Sequence, residues 1–142
     1  MVLWCKVKIR RIVLENKIYQ TTIEDYENFK ACCIKYKDLF GMVQYDFYFN
    51  YENLDEEIST VHYDIEAKNA TIFFSTEITD ICREKQDWIE AAALHEVLHI
   101  ILEELLCLGR RRFICETDLY AKSEEIVNLL ENVIMGYERM LK

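Results

Sequence analysis

The sequence has no proline and only three glycines in 142 residues. It therefore carries none of the punctuation that marks an interdomain linker, and it shows no low-complexity tract and no repeat at a solenoid-like period. It also lacks any run of the ~20 apolar residues that a membrane-spanning helix requires. The six cysteines (Cys5, Cys32, Cys33, Cys82, Cys107, Cys115) form no CxxC pair and no framework-like pattern, so neither a zinc ribbon nor a disulfide scaffold is indicated. Positive charge is scarce, with 17 Lys and Arg against 26 Asp and Glu and a net charge of -9. Nucleic acids and anionic membranes are held by clustered basic side chains, so this balance argues against both as partners. The one tight basic cluster, Arg110-Arg111-Arg112, follows an expected helix end and reads as a solvated turn that complements the helix dipole. At the N-terminus Val2-Leu3-Trp4-Cys5 precede the basic Lys6, Lys8, Arg10 and Arg11, the reverse of a secretory signal. With the thiols read as reduced, the expected location is the cytoplasm.

What is present suffices for a core, because 51% of the residues are apolar. One domain over residues 1–142 is expected. Cys5, Val7 and Ile9 alternate with Lys6, Lys8 and Arg10, which predicts a half-buried strand near residues 2–14. From Thr22, an N-cap candidate with Asp25 three residues on, Ile23, Tyr26, Phe29, Cys33, Tyr36 and Phe40 recur at helical spacing up to Gly41. Val43 to Tyr51 alternates as a strand. Ile58 to Asp64 and Ala70 to Ser75 flank the polar Glu66-Ala67-Lys68-Asn69 as a hairpin. A helix is predicted from about Gln86 to Leu108, closed by Gly109, and a last one from about Asp118 to Met140. The order β-α-β-β-β-α-α defines an α+β domain.

Between Ala91 and Leu102 the sequence reads AAALHEVLHIIL, in which His95, Glu96 and His99 are the only polar side chains. Such a helix reads as buried on nearly all sides, where a carboxylate is costly unless something compensates it. Residues four apart lie about 40° apart in projection and roughly 6 Å apart along the axis, so His95 and His99 can converge on one ion. Glu96 is turned about 100° from His95, beside the pair, where it could serve a metal-bound water as general base without being a ligand. Two histidines and a glutamate in this spacing match a zinc signature for metal-assisted hydrolysis, with Zn2+ as the expected cofactor.

A catalytic zinc usually takes a third protein ligand. Glu103 lies about 12 Å along the axis from His95, and Glu104 points to the opposite side. His62, in an expected strand, is a weaker option, as is Glu116 in the connection. If the last two helices pack as an antiparallel pair, Glu124 and Glu125 reach the height of His99. Helical direction favours Glu125, which borders the apolar stripe Ile126, Leu129, Leu130, Val133 and Ile134, over Glu124, which shares its side with Asn128 and Glu131.

ALHEVLHIIL and EEIVNLLENVI together resemble the small HExxH metallopeptidases of the gluzincin kind, among them phage-encoded metallopeptidases and the ImmA/IrrE-like group. The resemblance covers roughly residues 60–135. It implies a zincin-like fold: a small mixed sheet on an active-site helix, with the C-terminal helix supplying the third ligand. It further implies zinc on His95, His99 and Glu125, Glu96 as the base, and a peptide or protein substrate. Ala70-Thr71-Ile72-Phe73-Phe74 is similar to the edge strand along which such peptidases lay extended substrates. An SprT-like identity is disfavoured, since no third histidine follows His99 and there is no cysteine ribbon. His62, Tyr63, Tyr120 and Tyr137 are the candidates for steadying an oxyanion. Two alternatives stand beside this reading: a non-enzymatic phage-type accessory or interaction protein with a structural or vestigial metal site, and an α+β domain without metal.

Overall fold

The computed structural model describes residues 17–55, 57–84, 86–110 and 115–140; the strand expected near residues 2–14 lies outside them. The chain is α+β, as expected. Its elements are β1 (Ile18–Gln20), α1 (Ile23–Leu39), β2 (Asp46–Glu52), β3 (Ser59–Asp64), β4 (Asn69–Ser75), β5 (Glu77–Thr79), a 3-10 turn (Asp80–Arg83), α2 (Trp88–Arg110) and α3 (Glu116–Met140). No helix among the described residues is long and apolar enough to cross a membrane.

Helix α1 starts and stops where its side chains dictate. Thr22 accepts from the Asp25 amide while the Asp25 carboxylate accepts from the Thr22 amide, a reciprocal cap that satisfies two otherwise orphaned donors. At the other end Gly41 adopts φ +67°, and the amides of Gly41 and Met42 bond back to Asp38 and Lys37. That left-handed closure is the reason for glycine at this position. Buried Met42 then leads the chain under the helix toward β2.

The main sheet has the order β2-β4-β3, with β2 parallel and β3 antiparallel to β4. A separate short ribbon joins β1 to β5. β4 is therefore the central strand, bonded on both sides along its length. This corrects the expectation that residues 70–74 form a substrate-bearing edge: a strand with both ladders filled has no backbone groups left to offer. Its nearly continuous apolar run suits that central place. The free outer edges belong to β2 and β3, as far as the described residues go.

Side chains of one parity face inward: Phe47, Phe49 and Tyr51 from β2, Ser59, Val61 and Tyr63 from β3, and Ala70, Ile72 and Phe74 from β4. Helices α1 and α2 pack on that face and on each other, closing a core around Phe29, Cys33, Ile72, Phe74, Ala93, Val97 and Ile100. Phe74 is its hub, with its ring stacked against Phe29 at 4.6 Å and near Trp88, Tyr51 and Tyr26. Replacing Phe74 by Ala removes a fully buried ring at this junction and should cost about 3–5 kcal/mol. Urea denaturation should show this as a lower midpoint at unchanged slope, and a loss under about 1 kcal/mol would contradict the assigned role.

Candidate metal centre

Helix α2 is two-sided rather than buried all round, which corrects the reading of its apolar sequence. Ala92, Ala93, Glu96, Val97, Ile100, Ile101 and Glu103 are buried, whereas His95, His99, Leu102 and Leu106 are exposed. The inward half of the helix is claimed by α1 and the sheet. The outward half is left with the histidines and two leucines.

On that outward face His95 and His99 converge, their Nε2 atoms 3.0 Å apart and their rings nearly perpendicular. With both rings neutral, one Nε2–H can donate to the lone pair of the other. Partial burial and the neighbouring His95 hold the His99 imidazole below its usual pKa, with Glu103 opposing. Two nitrogens bound to one tetrahedral zinc at ~2.0–2.1 Å would stand roughly 3.3 Å apart. The separation of the pair is within a few tenths of an ångström of that value.

Glu96 points inward from the neighbouring position. It is 4% exposed, and its Oε1 accepts a 2.7 Å hydrogen bond from the Ser59 hydroxyl at the start of β3. Burial raises its pKa, while the Ser59 hydrogen bond and the nearby His95 pull it part of the way back. Among the described residues no hydrogen bond is made to Oε2, so the carboxylate is held through Oε1.

Of the residues named from the sequence, the structure brings His95 and His99 together, with Glu96 at the adjoining position turned inward. It does not bring Glu125 to them. Lys122 bonds both Glu125 and Glu104, and Glu125 lines a small cavity with Tyr45, Ile101, Glu104 and Ile126. Helix α3 crosses α2 on the Ile101 and Glu104 side, about 160° and 140° round the helix from His99. Glu125 therefore meets α2 on a different side from the one expected. Among the described residues no group of three His, Cys, Asp or Glu side chains is arranged to hold a metal. Glu116 and Glu124 are exposed. His62 lies on the opposite face of the sheet, its ring against Phe73. Tyr63 faces α2, where burial and a hydrogen bond to Glu103 push its hydroxyl up to about 12. Tyr120 is exposed on α3, and the Tyr137 side chain is outside those described.

Sequence reasoning overlooked Ser59. Its signal was available: in the alternation Ser59, Val61, Tyr63 it is the one small polar residue in the inward phase, opposite a helix carrying a carboxylate. The roles of Glu103 and Glu104 were also missed. Glu103, 6% exposed, accepts from Arg110 at 2.6 Å. Glu104 is bonded by Tyr45, Lys68 and Lys122. The chain matches no protein-family model, no curated protein and no solved structure in comparisons with each.

Glu104 gives a testable acid response. Burial would raise its pKa, but the hydrogen bonds from Lys122, Lys68 and Tyr45 outweigh burial and hold it down to about 2. Because the folded value is depressed, the stabilisation is complete above the usual 4.5 and is lost as pH falls toward about 2. Denaturation midpoints measured from neutral pH downward should fall through that window. Glu104→Gln should start lower and flatten the fall, and an identical acid profile would show that Glu104 does not carry it.

Proposed function

We propose that this chain is a zinc-dependent peptidase of the zincin kind, with His95 and His99 as zinc ligands and Glu96 as the general base. One observation carries the reading: two imidazole nitrogens converge at 3.0 Å next along the helix to a buried carboxylate held through one of its oxygens. The donor set suits zinc, since neutral imidazoles and a carboxylate are its ordinary ligands and partners. A bound zinc would supply a lowered water pKa and polarisation of the scissile carbonyl. In this reading Glu96 Oε2 would take a proton from the water and return it to the leaving amine. The outer edge of β3, beside α2 and unpaired among the described residues, is the strand edge on which an extended peptide could add by backbone hydrogen bonds. A soluble, cytoplasmic setting and a peptide or protein substrate belong to the same proposal, as does a third ligand from α3, for which Glu125 is the candidate.

A second reading is favoured by the placement of Glu125. Its pairing with Lys122 leaves the histidines without a third donor among the described residues, as in an accessory protein with a vestigial metal centre. Metal and activity separate the two. Protein purified without added metal should carry one zinc per chain by elemental analysis. Glu96→Gln should keep that zinc and lower peptide hydrolysis by about 10²–10⁴-fold. Glu125→Ala should weaken zinc binding if Glu125 closes the shell. Full-length protein that folds without zinc and takes none up would refute the peptidase reading, and zinc bound without any hydrolysis would favour the second.

A further inference from the structure

Glu96 has three rotatable bonds, so its place beside the histidines is not set by the helix alone. A base is effective only within hydrogen-bond reach of the proton it takes, and a misplacement of about 1 Å can cost 10²-fold. Something must hold the carboxylate. Among the described residues its one hydrogen-bond donor is Ser59.

Ser59 is itself firmly placed. It opens β3, pairs with Phe74 of the central strand, and follows Ile58, whose carbonyl accepts the Ser75 amide at 2.9 Å. Its side chain is in the inward phase of the strand and donates to Oε1 of Glu96 at 2.7 Å. The donor could in principle have come from α1, which also lines this side of α2 through Cys33. It comes instead from β3, whose outer edge is unpaired among the described residues.

We propose that Ser59 is the positioning residue for the base: by tethering Oε1 it directs Oε2 toward the histidine pair and fixes that oxygen in register with the open edge of β3. This rests on the peptidase reading and adds to it. One residue would then index both the base and the strand on which the substrate is laid, so the distance from Oε2 to a bound scissile carbonyl is set by a single rigid element. The hydroxyl is not consumed and touches neither substrate nor metal. Its role is exerted through Glu96.

The test uses the full chain loaded with zinc and a fluorogenic peptide selected from a quenched peptide mixture for cleavage by the unaltered protein. Ser59→Ala should lower kcat about ten- to a hundredfold, the range seen when a supporting hydrogen bond behind a metal site is removed. KM should stay the same within error, as should zinc affinity measured by competition with a chromophoric chelator. Ser59→Thr, which keeps the hydroxyl, should restore most of kcat. A Ser59→Ala protein with unchanged kcat overturns the proposal, as does a loss that follows weakened zinc binding or that Thr does not rescue. A second readout needs no activity: in metal-free protein Ser59→Ala leaves buried Oε1 unpartnered and should lower the melting temperature, while Ser59→Thr should not. Equal melting of Ser59→Ala and the unaltered protein would overturn the tether itself. An unaltered protein that binds zinc and cleaves no peptide in the mixture overturns the peptidase reading and this role with it, whereas active protein insensitive to Ser59→Ala overturns this role alone.

Discussion

A carboxylate removed from water must find a partner, and three of them sit within nine residues of α2. Glu96 takes Ser59 of β3, Glu103 takes Arg110 and Tyr63, and Glu104 takes Tyr45, Lys68 and Lys122. These partners come from the edge strand, the end of the same helix, the loop after α1, the hairpin turn and α3. Rotating α2 by one residue, or sliding it by one turn, would leave at least two of the three without a donor. The apolar packing of Phe74, Val97 and Ile100 draws the helix onto the sheet, but apolar contact is tolerant of small rotations. The carboxylates are not.

That constraint decides where the histidines go. With Glu96 and Glu103 committed inward, positions 95 and 99 are turned to the outward face, and their shared side follows from helical spacing. The convergence of the two imidazoles is thus a by-product of how the opposite face is seated. Helix α3 depends on the same seating through Lys122, yet reaches α2 on the far side from the pincer.

Much of this was legible along the chain. Thr22 with Asp25 and Gly41 marked both ends of α1, because caps are local chemistry. The β3–β4 hairpin followed from two alternating runs and a polar turn. Three-residue strands such as β1 and β5 are too short to show a period, and they exist through pairing with each other across the chain. The order of the main sheet is likewise non-local, although the largely apolar run of β4 was a mark of a central strand that the edge assignment passed over. Helix α2 misled because Leu102 and Leu106 look like core residues and are half exposed, so its two-sidedness was hidden in the composition. Glu125 was matched by height along α3, a quantity sequence yields, while the azimuth at which two helices meet depends on partners such as Lys122 and Tyr45 from elsewhere.

The antiparallel placement of β3 carries a further consequence, one of direction. β3 runs from Ser59, beside Glu96, to Asp64 at the hairpin turn. A peptide joined to its open edge in antiparallel fashion would enter at the Asp64 end and pass Ser59 last. Most of the ladder would then lie on the N-terminal side of the point nearest the histidines, with little strand left beyond it. Under the proposed peptidase reading, such a site would read what comes before the cut more closely than what comes after, and would release the downstream fragment from the shorter grip.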